Sequence, residues 1–119
     1  MINSGNTMLR TAKTLWLNGA SHIYCLAPYG LFTNGLEVFD EAYKEGIISA
    51  VCCTNLIYRS PELLDREWYV DANMIPYVAR IIDALNLDES IYDLINSTSR
   101  LTDLASQMRI GEFLELEDE

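Results

Sequence analysis

Apolar residues recur at three- and four-residue spacing from Asn6 to Leu17, so Met8, Leu9, Ala12, Leu15 and Trp16 share one face of a predicted helix. Ser4 or Asn6 is the expected cap at its start, and Asn18-Gly19 is a stop signal. The pattern then turns continuous. His22 to Ala27 reads as a buried strand ended by Pro28, and a loop carrying Tyr29-Gly30 runs to Asn34. Leu36, Phe39, Ala42 and Tyr43 return to helical spacing, stopped at Gly46. Ile48 to Thr54 is apolar nearly throughout, as in parallel strands covered on both faces. A longer connection, Asn55 to Arg66, contains the turn signal Ser60-Pro61, and Trp68-Tyr69-Val70 forms a short third strand. Pro76 falls in the first turn of the next helix, whose apolar face is Val78, Ala79, Ile81, Ile82 and Leu85. Asp88 can cap a last short helix containing Ile91, Tyr92, Leu94 and Ile95.

Strands alternating with helices over short connections predict an α/β domain. The expected architecture has three layers and a small, doubly wound parallel sheet built from residues 22–27, 48–54 and 68–71. Residues 1–109 are expected to form this domain, and residues 110–119 an acidic tail. The first element is a turn leading into a helix, whereas a ligand-binding loop in such folds hangs from the end of a strand. The pattern therefore reads as a domain entered halfway. Its severed edge, the strand from His22 to Ala27 or the helix before it, predicts a homo-oligomer.

Composition narrows the class. The 119 residues are half apolar, enough for one small core, and no apolar run approaches the length of a membrane span. With no basic segment followed by an apolar one at the N-terminus, the expected location is cytoplasmic, with no membrane partner. The formal net charge is -10, and five of the eighteen acidic residues fall in the last eight positions, read as a solvated, frayed end. Eight Lys and Arg residues are too few for a phosphate-neutralising surface, which disfavours nucleic acid as a partner. Cys25, Cys52 and Cys53 lie in strand-like runs without metal-ligand spacing, and read as reduced, packed thiols. His22 reads as structural, Trp16, Tyr43, Trp68 and Tyr77 as core, and Glu62, Asp65 and Glu67 as a solvated loop.

Candidate chemistry concentrates at the start. Asn3-Ser4-Gly5-Asn6-Thr7 sets small residues with side-chain oxygens, and a glycine, against a helix start. Such a turn can aim several backbone N–H groups at one anion; it can equally be a plain cap. Met1-Ile2 followed by this pentapeptide resembles the signature of type I phosphoribosyltransferases, two apolar residues and then Asp-Thr-Gly/Ala-Gly-Thr. Further along, Ala27-Pro28-Tyr29-Gly30-Leu31-Phe32, Gly35-Leu36-Glu37, Cys53-Thr54-Asn55-Leu56-Ile57 and Glu89-Ser90-Ile91-Tyr92-Asp93-Leu94 are similar to segments of ribose-phosphate pyrophosphokinases. The resemblance covers residues 1–96 and implies the C-terminal part of such an enzyme.

The implied reaction is transfer of pyrophosphate from ATP to ribose 5-phosphate, giving phosphoribosyl pyrophosphate and AMP for nucleotide biosynthesis, with Mg²⁺. The resemblance implies that Asn3, Ser4, Gly5, Asn6 and Thr7 hold the 5-phosphate, while ATP and metal need the N-terminal part. It supplies no catalytic residue and no metal ligand in this chain. Asn3 replaces the loop aspartate, Asn6 replaces a loop glycine with a residue tolerant of left-handed geometry, and Tyr29 stands where the family often has histidine. The acidic pair that precedes the signature has no counterpart in the sequence. The isolated chain is accordingly expected to be inactive. Two other readings are a non-catalytic paralogue that assembles with and regulates full-length subunits, and a fragment of a nucleobase phosphoribosyltransferase.

Overall fold

The computed structural model describes the backbone of residues 1–117 and the side chains of residues 1–107. The elements follow in the order α1 (Asn6–Leu17), β1 (Tyr24–Ala27), α2 (Glu37–Lys44), β2 (Ala50–Thr54), α3 (Pro61–Leu64), β3 (Tyr69–Ala72), α4 (Ile75–Asn86), α5 (Tyr92–Ile95) and α6 (Thr98–Glu117). The fold is α/β, with an open, three-stranded parallel sheet flanked by helices and consistent with part of a type I phosphoribosyltransferase fold. The strands lie in the order β1-β2-β3, so both crossovers carry the chain the same way across the sheet. Two compact units divide after Pro76; the sheet belongs to the first, and α5 and α6 to the second.

Register decides which side chains form the core. Cys25 pairs with Val51, and Val51 with Tyr69, so these three stand in one row across the sheet. All three are buried, together with Cys53, Ile48, Trp68 and Phe39. The opposite face behaves differently. Leu26 pairs with Cys52, and Cys52 with Val70. Leu26 is 71% exposed, Tyr24 65% and Val70 47%. Sequence predicts burial on both faces; within the first unit the core fills only one.

An aromatic cluster closes that core. Phe39 stacks on Trp68 at 5.4 Å and meets Phe32 edge-on at 5.1 Å. Such pairs add about 0.5–1.5 kcal/mol each beyond area burial. The Trp68 indole N–H donates to Asp40 Oδ1 at 2.7 Å. Arg66 Nε lies 3.0 Å from the same oxygen as an ion pair, without the alignment of a hydrogen bond. Trp16, expected in the core, is 40% exposed at the solvent side of α1, and Leu15 is exposed beside it. Tyr43 packs against the core, and Tyr77 donates its hydroxyl to the Leu94 carbonyl. His22 is exposed.

Several caps differ from expectation. Gly5, not Ser4 or Asn6, is the N-cap of α1, and no side chain caps it. Asn18 and left-handed Gly19 do end that helix. Asp88 adopts φ 54 at the end of α4 and does not cap α5, whose N-cap is Ile91. The connection read as a plain loop contains α3, where Ser60 Oγ accepts from the Leu63 N–H and Pro61 opens the helix. Residues 98–117, expected without an element and ending in a frayed acidic tail, are helical in backbone. Asp118 and Glu119 lie outside the described residues.

Candidate phosphate-binding site

A parallel bridge places the candidate turn. Ile2 pairs with Gly30 through its N–H to the Tyr29 carbonyl and its carbonyl to the Leu31 N–H, each 2.8 Å. Ile2 is buried and points the next residues beyond the carboxyl end of β1. That is the end of a parallel sheet where α/β folds collect ligands.

Two hydrogen bonds then pin Asn3 to the loop after β1. Thr33 donates its N–H to the Asn3 carbonyl at 3.0 Å and its hydroxyl to Asn3 Oδ1 at 2.9 Å. Asn3 thus accepts through its side chain, a role open to an amide or a carboxylate alike. Gly5 follows with φ 81 and ψ -8, a left-handed turn into α1. A Cβ there would lie 2.2 Å from Phe39 Cζ, so both the backbone and the packing require glycine. Asn6, where the expected helix begins, is the first helical residue, and Gly5 carries the left-handed turn before it.

This turn leaves donors free. Among the described residues, no amide from Ser4 to Met8 donates a hydrogen bond; the first helical donor is Leu9, to the Gly5 carbonyl at 2.9 Å. Asn3, Asn6 and Thr7 are exposed and Ser4 is half-buried. The helix behind has twelve residues, so its N-terminal partial charge is fully developed. Residues 1–36 contain Arg10 and Lys13 and no acid, while residues 37–119 hold all eighteen acidic residues. That asymmetry spares the turn from carboxylates in its own segment. Sequence reading at the level of net charge missed it.

Neighbouring loops are knit at the same end of the sheet. Thr54 donates both its N–H and its hydroxyl to the Pro28 carbonyl, which ties the end of β2 to the end of β1. Asn55 Nδ2 donates to Asn73 Oδ1, and Asn55 Oδ1 accepts the Met74 N–H, tying β2 to the segment after β3. A cavity of about 270 Å³ opens beside the loop after β1, lined among others by Gly30, Phe32, Tyr58, Glu62 and Arg66. Glu62, read from sequence as a solvated loop residue, lines it. Beneath, burial raises the Cys53 thiol to about 11 and the Tyr69 phenol to about 12, with Cys53 and Asp71 adding to the Tyr69 shift. Burial also raises the Cys25 thiol. These groups are neutral near pH 7 and serve as packing. Among the described residues, no three His, Cys, Asp or Glu side chains converge as a metal site.

Over 94 residues the chain is 26% identical to a ribose-phosphate pyrophosphokinase of Mycoplasmopsis pulmonis, covering 79% of this chain and 28% of that protein. Over 62 residues it is 37% identical to a ribose-phosphate pyrophosphokinase of Ureaplasma parvum, covering 51% of this chain and 19% of that protein. The chain is similar to ribose-phosphate pyrophosphokinases over half or more of its own length. It spans 28% of the length of the first of these relatives and 19% of the second. No family model matches the chain, and no solved structure matches it significantly. No helix among the described residues is long and apolar enough to cross a membrane.

Proposed function

We propose that this chain holds the 5-phosphate of ribose 5-phosphate at the turn Asn3–Thr7, as the phosphate-gripping part of a ribose-phosphate pyrophosphokinase. One observation carries the reading: a left-handed glycine opens a twelve-residue helix whose first amides make no hydrogen bond, with Asn6 and Thr7 exposed, at the carboxyl end of a parallel sheet. The Ser4 and Thr7 hydroxyls add donors, and Asn3 supports the turn from behind through Thr33. The names of the similar proteins supply the sugar phosphate as the ligand.

The residues present do not make a whole enzyme. Transfer of pyrophosphate from ATP concentrates negative charge that metal ions and cationic side chains must offset. The described residues offer no cluster of His, Cys, Asp or Glu to hold such a metal. The chain's own contribution is to bind and orient the sugar phosphate, which can lower a barrier without making or breaking a bond. Alone, the chain makes no phosphoribosyl pyrophosphate from ATP and ribose 5-phosphate. Assembly with full-length subunits is a second reading, in which the same turn binds phosphate without turnover.

Equilibrium dialysis with labelled ribose 5-phosphate tests the proposal. Inorganic phosphate should compete and ribose should not. Asn6→Asp places a carboxylate at the first helical position, where it favours the helix and repels an anion. The variant should keep its stability and lose at least about tenfold in affinity, the scale of roughly 1.4 kcal/mol. Unchanged binding by Asn6→Asp would refute the placement.

A further inference from the structure

The bridge between Ile2 and Gly30 does not continue as a ladder towards α1. Ile2 donates to the Tyr29 carbonyl and accepts from the Leu31 N–H, each 2.8 Å, as a parallel pair requires. A further step would join the Ser4 N–H to the Leu31 carbonyl and the Thr33 N–H to the Ser4 carbonyl. The chain makes neither bond. Phe32 is left-handed at φ 48, one of two non-glycine residues with positive φ among the described residues. Thr33 falls one residue short as a result. Its N–H reaches the Asn3 carbonyl at 3.0 Å, and its hydroxyl donates to Asn3 Oδ1 at 2.9 Å. Among the described residues nothing accepts the Ser4 N–H.

Left-handed backbone is an outlier for a bulky side chain and persists only where the surroundings overdetermine it. Here they do. The Phe32 ring is buried, meeting Phe39 edge-on at 5.1 Å and Tyr69 at 6.3 Å. Its carbonyl accepts the Gly35 N–H at 3.1 Å. Gly30 makes room for the ring, since a Cβ there would lie 2.5 Å from Phe32 Cε2. We infer that Phe32 and Thr33 are positioning residues for phosphate binding, an inference that rests on the phosphate reading of the turn Asn3–Thr7. Phe32 breaks the ladder and so leaves the Ser4 N–H free for an anion. Thr33 clamps Asn3 through backbone and side chain, which fixes the turn from the loop after β1. Both act through Asn3 and Ser4.

Titration of the full chain with inorganic phosphate, followed by amide NMR, tests the assignment. Thr33→Val keeps the backbone bond and loses the hydroxyl. It should weaken phosphate binding by about three- to tenfold, the scale of one neutral hydrogen bond. Thr33→Ser should bind as the wild type does. In an Asn3→Ala background Thr33→Val should cost nothing further, because both changes remove the same bond, whereas a general loss of structure would add. Phe32→Val is β-branched and averse to left-handed geometry. It should also weaken binding, and should slow exchange of the ligand-free Ser4 amide as the ladder closes over it. Wild-type affinity in Thr33→Val, or a loss that persists in Asn3→Ala, would overturn the inference. So would a Ser4 amide strongly protected from exchange in the ligand-free wild type. If Phe32→Val fails to fold, the Thr33 variants decide alone. Phosphate that shifts Ser4 through Met8 at equal concentrations in wild type and Thr33→Val sinks the positioning role and leaves the phosphate reading standing. Phosphate that shifts none of them in the wild type sinks both.

Discussion

Replacing Gly5 with alanine strikes the fold and the candidate site at one atom. The residue sits at φ 81, and a Cβ would fall 2.2 Å from Phe39 Cζ and 2.4 Å from Cε2. Phe39 is fully buried between Phe32 and Trp68, so the ring has no free direction to yield. Left-handed geometry costs an alanine about 1–2 kcal/mol, and forcing a methyl into a packed core about 1–3 kcal/mol. The expected loss is about 2–5 kcal/mol, a large share of the roughly 5–15 kcal/mol typical of a domain. Gly19→Ala is the internal control. Gly19 has φ 96 with nothing within 4 Å of its Cβ position, so it carries only the backbone cost. Urea unfolding of both variants, compared at equal m-value, isolates the clash as their difference. A Gly5→Ala loss within about 0.5 kcal/mol of the Gly19→Ala loss, below the ~1–3 kcal/mol of overpacking, would refute the packing argument.

Other consequences are equally open to measurement. Asp40→Ala strands the buried Trp68 N–H and should cost about 1–3 kcal/mol. Asp40→Asn keeps an acceptor for Trp68, loses only the partly exposed Arg66 pair, and should cost less, about 0–1 kcal/mol. Burial holds Cys53 protonated to about 11, above the ordinary 9.0. The folded state then retains a proton that the unfolded chain releases. This contribution is complete below pH 9.0 and is lost as pH rises from 9.0 towards 11, by at most roughly 1.4 kcal/mol per pH unit. Cys53→Ala should lessen the loss of stability across that window without abolishing it, because burial also raises Cys25 and Tyr69, as measured by denaturant midpoints. Cys52 is half-buried while Cys25 and Cys53 are buried, so a thiol reagent at pH 8 should label Cys52 first. Equal labelling of all three under native conditions would contradict the register of β2.

Much of the fold was legible because its signals are local. The bounds of α1 follow from the apolar stripe of Met8, Leu9 and Ala12 and from the Asn18-Gly19 stop. The three strands are short apolar runs; β1 and β2 each start two residues later than expected, and β3 keeps its expected length but is shifted by one residue. What failed was non-local or misweighed. Ser60-Pro61 is a helix start as much as a turn, and α3 was lost to the second meaning. The acidic residues and Gly111 hid α6, although Leu and Glu are strong helix formers. Exposure of Trp16 and Leu26 depends on what the first unit provides to cover them, which periodicity does not encode. In the candidate site, the glycine and the helix start were visible in Asn3–Thr7. The Asn3–Thr33 link spans thirty residues and could not be seen.

Amide NMR of the labelled chain during titration with ribose 5-phosphate tests the central claim most directly, because each N–H in the turn reports separately. The largest shifts should fall on Ser4 through Met8, inorganic phosphate should reproduce their direction, and ribose alone should move none of them. Shifts centred elsewhere, or an equal response to ribose, would contradict it.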